Sequence, residues 1–213
     1  MGRVLNSVVA LMLVGSPTIC FTTVAGANGE VVMDVKQGTV SFDVATNVPA
    51  LRVHGTSNSL TARARLASGP EGAVLEQIEA TVPVRSLQTG LTLRDEHMRK
   101  HIFTTPDGQM PDVQFSGERT ECPTIGPRQR TTCVVNGALA IRGTARPFVM
   151  TLTIREENGI LRATGHGIVR LSSYGIDQPS QLGVRTTDEI KLKLELSARR
   201  AAAQATSGSM GAR

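Results

Sequence analysis

Apolar and polar residues alternate with a period of two along most of the chain. In 190-IKLKLELS-197, Ile190, Leu192, Leu194 and Leu196 alternate with Lys191, Lys193, Glu195 and Ser197. Successive side chains of a strand point to opposite faces, so this segment reads as a strand with one buried and one wet face. Segments 148-FVMTLTIR-155 and 60-LTARARL-66 repeat the device. Weaker versions run through 39–46 (Val40, Phe42, Val44), 76–84 (Ile78, Ala80, Val82, Val84) and 113–119 (Val113, Phe115). The same holds for 135–141 (Val135, Leu139, Ile141) and 161–171 (Leu161, Ala163, Gly165, Gly167, Val169, Leu171). The pattern predicts about eight strands, most joined by short turns such as Gly143-Thr144 and Asn158-Gly159. Strands without helices between them predict an all-β antiparallel meander. Alternation alone does not choose between a closed barrel and a sandwich.

One interruption breaks the meander. The 28 residues between Val84 and Val113 are too many for a hairpin loop. Within them Leu91, Leu93, Met98 and Ile102 fall at helical spacings against Arg94, Glu96, Arg99 and Lys100. One short helix is expected at about 92–101, ending before Thr105-Pro106-Asp107-Gly108. The inward parity is also rich in small residues: Ala62, Ala64, Ala80, Ala163, Gly165 and Gly167. In a barrel these leave an apolar void unless large residues on facing strands fill it; both readings stand at this point.

The termini differ from the body. Residues 1–27 combine Arg3, an apolar run from 4 to 15 and the small-residue pattern Ala25-Gly26-Ala27, the make-up of a cleaved export signal. A lipid anchor on Cys20 is the rival, disfavoured by the bulky Ile19 before it. Residues 199–213 are Ala/Ser/Gly-rich without apolar periodicity and are expected to be a disordered tail. One domain, 28–198, lies between them.

Charge excludes one class of partner. Without Arg3 the chain keeps 22 basic and 18 acidic residues, with no block of like charge, so no nucleic acid is expected as a partner. Cys122 and Cys133 bracket a turn-rich loop containing Pro123, Gly126 and Pro127. In an exported chain this suggests a disulfide worth about 2–3 kcal/mol, with two free thiols as the alternative.

Candidate chemistry gathers in 94-RDEHMRKHIF-103, where His97 and His101 share a helical face behind Asp95 and Glu96. The metalloprotease motif fails because Met98, not Glu, follows His97. The remaining histidines, His54 and His166, are far away in sequence, so a metal site would need ligands assembled by the fold. The alternatives are a surface helix with charges suited to its dipole, or a lid whose Arg94, Asp95 and His97 hold the barrel rim or meet a ligand's polar end. No G-x-S-x-G nucleophile motif or phosphate loop is present. Arg142-Gly143-Thr144-Ala145-Arg146-Pro147 reads as a hairpin turn rather than an anion site.

Several stretches together carry a family resemblance. The segments 53-VHGTSNSLTARARL-66, 82-VPVRSLQTG-90, 94-RDEHMRKHIF-103, 111-PDVQFSGE-118, 137-GALAIRGTARPFVMTLTI-154, 165-GHGIVRLSSYGID-177 and 187-TDEIKLKLEL-196 resemble YceI-like proteins in order and spacing, over roughly 31–198. The resemblance implies an eight-stranded antiparallel lipocalin-like barrel with one short capping helix. It also implies a periplasmic or secreted carrier that holds a long-chain isoprenoid or fatty lipid inside, with no catalytic residues, no metal and no cofactor. Ligand-lining and lid residues are then expected to be Phe42, Leu60, Ala62, Ala80, Val82, Arg94, Asp95, His97, Phe103, Phe115, Leu139, Ile141, Phe148, Met150, Leu152 and Val169. Transient membrane contact and a homodimer are further expectations. A metal-binding protein or metal-dependent enzyme using His97 and His101 is the alternative. The Cys122–Cys133 loop and the scarcity of large aromatics depart from the family pattern.

Overall fold

The computed structural model describes residues 29–158 and 160–199. Its strands are β1 (Gly29–Thr46), β2 (Arg52–Gly69), β3 (Gly72–Val82), β4 (Val113–Glu121), β5 (Arg130–Ile141), β6 (Thr144–Glu157), β7 (Ile160–Arg170), β8 (Ser180–Gln181) and β9 (Val184–Arg199). Each long strand pairs antiparallel with the next, and β1 pairs with β9 to close the ring. The result is a closed barrel of eight long strands: the meander that alternation predicts, closed as the resemblance implies. Closure removes the unpaired edges that such strands would otherwise expose. β8 stands outside the barrel as the first arm of a tight hairpin onto β9.

Two strands run well past their expected bounds, and the register explains why. In β1, Met33 and Val35 are buried on odd positions, whereas Gly38 and Val44 are buried on even ones. The pairing with β2 shifts between Val35 and Gly38 and again before Val40. A bulge resets which parity faces inward, and a single alternation register cannot span it. β2 likewise reaches from Arg52 to Gly69.

The barrel has two different ends. At one, the β2–β3 turn and the 122–129 loop fold over the strands, and Ile125 exchanges backbone hydrogen bonds with Ala73 at 2.7 and 3.2 Å. Ile125 is 1% exposed and belongs to a filled core with Leu66, Leu75, Val135, Leu152 and Leu196. Cys122 and Cys133 are joined by a disulfide that closes the base of this loop. The loop that reads as an elaboration in the sequence is therefore the plug.

At the other end lies the excursion between β3 and β4. It starts with a short 3-10 turn (Val84–Ser86), runs into helix α1 (Thr92–Met98) and continues as a π turn (Arg99–Phe103). The expected single helix thus ends as an α-helix at Met98, and the wider turn brings Phe103 into the core at 8% exposure. β9 extends to Arg199, one residue into the expected tail. The expected export signal at 1–27 and the rest of the tail lie outside the described residues.

Candidate functional site

The first half of β2 pairs with β1 alone; its pairing with β3 begins only at Thr61. The linker after β3 covers this free edge. Thr56 and Gln88 exchange backbone hydrogen bonds at 2.8 and 2.9 Å, and the hydroxyls of buried Ser57 and half-buried Ser86 meet at 2.6 Å. Val84, fully buried, donates its N–H to the Asp112 carboxylate at 3.1 Å, which pins the two ends of the excursion together. Arg99 donates through Nη2 to the Leu87 carbonyl at 3.0 Å. These contacts lay α1 across the barrel mouth.

The start of α1 has its own network. The Thr89 N–H donates to Asp95 Oδ1 at 2.7 Å, and the Thr89 hydroxyl donates to the same oxygen. Arg94 Nε donates to Thr89 Oγ1 at 2.8 Å, and its Nη2 donates to the Thr89 carbonyl. Asp95, at 8% exposure, is thus a fastener of the lid. The Leu91 position before the helix has no side-chain cap, so this carboxylate takes over the role of holding the first turn.

Beneath the lid is a cavity of about 870 Å³. Its wall is mostly aliphatic, with Val40, Val44, Val53, Val82, Val113 and Val169 drawn from five strands and Leu192 from a sixth. Polar groups sit at its mouth: Thr46, Thr89, Thr92, Arg94, His97, Ser180, Gln181 and Thr186. A second void of about 60 Å³ lies deeper, and the two share Val40, Val82, Val113, Leu139 and Leu192 as lining. These five side chains stand between the two spaces. Phe115 and Phe148 line the deeper void, edge to face with ring centroids 5.7 Å apart.

The structure sorts the expected residues into groups. Phe42, Val82, Arg94, His97, Phe103, Leu139, Ile141 and Val169 line the large cavity. Leu60, Ala80, Phe115, Phe148 and Met150 line the deeper void, together with Val82 and Leu139. Ala62, Asp95 and Leu152 line neither: Ala62 and Leu152 belong to the filled core, and Asp95 holds the lid. Sequence reasoning missed the contributions of the 47–51 loop and of the 179–186 hairpin, which supply Leu51, Pro179, Ser180, Gln181, Leu182, Val184 and Thr186. Neither segment alternates, and only the fold brings them to the mouth.

The inward glycines do not create the void. A Cβ on Gly167 would meet Phe148 Cζ at 2.3 Å, and one on Gly55 would meet Phe42 Cζ at 2.2 Å. On Gly165 it would meet Leu194 Cγ at 2.6 Å. Large neighbours take the space these residues leave, as the second of the two sequence readings holds. The large empty volume lies instead toward the mouth, under the lid, behind a mostly aliphatic wall.

The histidine pair and the arginine turn have local explanations. The His97 and His101 rings lie against each other with centroids 4.1 Å apart, tilted by 47°. The His101 pKa is lowered by desolvation and by His97 and Lys100 nearby. Among the described residues no third histidine, cysteine or carboxylate joins them in a group able to hold a metal. His97 makes no side-chain hydrogen bond among the described residues while bordering the cavity. Arg142 and Arg146 donate to the carbonyls of Gly175 and Ser173 at 3.2 and 2.8 Å, bracing the β5–β6 hairpin. The Tyr174 hydroxyl donates to the Leu139 carbonyl at 3.1 Å, and burial pushes its pKa up.

Several solved structures share this architecture. BcnA of Burkholderia cenocepacia is 18% identical, with a TM-score of 0.56 over 76% of this chain and 96% of its own. A polyisoprenoid binding domain from Saccharophagus degradans, implicated in plant cell wall breakdown, is 10% identical, with a TM-score of 0.56 over 82% and 99%. The YCEI protein of Campylobacter jejuni is 18% identical, with a TM-score of 0.57 over 73% and 90%. No curated protein matches the sequence. The YceI-like domain matches residues 32–198, which takes in the lid and all of the long strands but the first three residues of β1 and the last of β9, and the chain therefore belongs to the YceI-like family.

Proposed function

We propose that the barrel binds a long-chain apolar lipid, of the isoprenoid or fatty class, with its tail in the cavity and its polar end at the mouth. The observation that carries this reading is the cavity itself: about 870 Å³, walled by valines and leucines, with polar side chains confined to one end. That volume lies near the top of the range for small-molecule sites, which are mostly apolar with a few convergent polar groups. The deeper void behind Val40, Val82, Val113, Leu139 and Leu192 favours an elongated molecule, because rotation of these shared lining side chains would join the two spaces. Each buried methylene contributes about 0.8 kcal/mol, so a chain of about ten gives roughly 8 kcal/mol before the costs of binding. His97 borders the cavity with no side-chain hydrogen bond among the described residues, and so is placed to meet the polar end. The likeness to a polyisoprenoid binding domain agrees with this class of ligand.

The reading makes the protein a binder rather than a catalyst. The export-signal pattern of residues 1–27 and the disulfide support binding outside the cytoplasm. The test is native mass spectrometry of protein from an exporting host, prepared without detergent, with solvent extraction of what it carries. A one-to-one lipid-sized adduct, diminished but present in His97→Ala and abolished in Val113→Trp, is expected. An empty barrel that takes up zinc or copper, and loses it in His97→Ala, sinks the proposal.

A further inference from the structure

Asn47 staples two loops into one ridge beside the mouth. Its N–H donates to the Arg185 carbonyl at 2.9 Å, its amide Nδ2 donates to the Gly183 carbonyl at 3.1 Å, and its Oδ1 accepts from the Arg185 N–H at 2.8 Å. One side of the ridge is the 47–51 loop, the other the β8–β9 hairpin. The hairpin pairs Gln181 with Val184, which leaves Leu182-Gly183 as a two-residue turn with φ values of 50° and 78°. Such a turn favours Asn or Asp at its first position, and a leucine held at positive φ is locally unfavourable. Leu182 is also 97% exposed. Neither its conformation nor its exposure helps this chain fold in water.

Other exposed apolar side chains share the opening. Leu51, Leu91 and Leu93 are 44%, 59% and 69% exposed and line the same cavity mouth as Leu182, and Val48 is 40% exposed on the ridge. Segments 47–52 and 178–185 contain Arg52 and Arg185 and no carboxylate. Both arginines are exposed, and among the described residues neither forms a salt bridge. A leucine at a convex tip, with further leucines around a hole, has no flat face for a folded partner. Liquid hydrocarbon accepts it without shape matching, and arginines beside it suit anionic head groups.

We infer that the mouth is a docking surface for an anionic phospholipid bilayer, with Leu182 as the inserting tip and Arg52 and Arg185 at head-group level. This stands on the outer surface and does not depend on what the cavity holds. The chain has no tryptophan, so Leu182→Trp gives a single reporter in the full-length protein. Vesicles of phosphatidylcholine and phosphatidylglycerol should shift its emission to the blue, and brominated acyl chains should quench it. Val149→Trp, on the outer wall, should do neither while the protein sits on the same vesicles. Replacing both arginines by glutamine should weaken binding by roughly ten- to thirty-fold. Indole emission from the Leu182→Trp variant that ignores vesicles overturns the inference, as does an equal response to pure phosphatidylcholine. A blue shift that rises with protein concentration in the absence of lipid assigns the ridge to a second copy and overturns it too.

Discussion

The two ends of the barrel are built from the same alternating strands yet do opposite things. At the plugged end, inward positions carry Leu66, Leu75, Leu152 and Leu196, and Ile125 fills the axis from above. At the mouth, the inward positions carry Val40, Val44, Val53, Val113 and Val169, and a lid spans the opening instead of filling it. Stability and binding are thus separated along the axis, and each can be perturbed without the other.

The largest expected effect tests that separation directly. Leu152→Ala, at a position 1% exposed, should cost about 3–5 kcal/mol, since both transfer and cavity terms apply in a closed core. Leu192→Ala, on the wall of existing empty space, should cost about 1–2 kcal/mol in lipid-free protein, because that side chain already lacks neighbours on one side. Urea unfolding of both variants settles the contrast, and equal losses would erase it. Next in size is the plug. Replacing Cys122 and Cys133 together by alanine should cost about 3 kcal/mol, with hydrogen exchange rising first at Ala73 and Ile125. Exchange at the Thr56 and Gln88 amides by the mouth should not change.

A smaller effect has the opposite sign. Leu182→Asn should raise stability by about 0.5–1 kcal/mol, because asparagine tolerates the left-handed conformation that the turn imposes. The same change should reduce vesicle binding. A variant that gains stability and keeps full binding would detach the strained leucine from any role at the membrane.

How much of this was legible in the sequence follows from periodicity. The plugged end and the outer wall were readable wherever one parity held, as in β6 and β9. The first half of β1 was not, because its bulge near Val35 changes parity midway. The lid helix was visible from Leu91, Met98 and Ile102, and Asp95 was among the residues expected to hold it, but its partner Thr89 was not, since that residue lies in an irregular linker. The ridge was invisible for the same reason: Asn47 and Arg185 are joined by backbone and amide hydrogen bonds across 138 positions, and such bonds leave no apolar pattern.

The smallest effect concerns the lid alone and carries a sign. Desolvation, His97 and Lys100 lower the His101 pKa in the folded protein. The folded state therefore binds this proton less readily than the unfolded chain, whose histidine titrates near 6.5. Where the folded state holds fewer protons, stability rises with pH, so acidification through the histidine range should loosen the lid and alkaline conditions should restore it. The change is small because His101 is exposed, and the plugged end has no part in it. Hydrogen exchange of α1 amides, measured across that pH range and corrected for intrinsic rates, should show the lid opening more often at the acid side, while Val135 and Leu152 stay protected. His101→Gln should flatten the response. If it persists in that variant, a group other than His101 is the proton acceptor, and the histidine pair does not tune the lid.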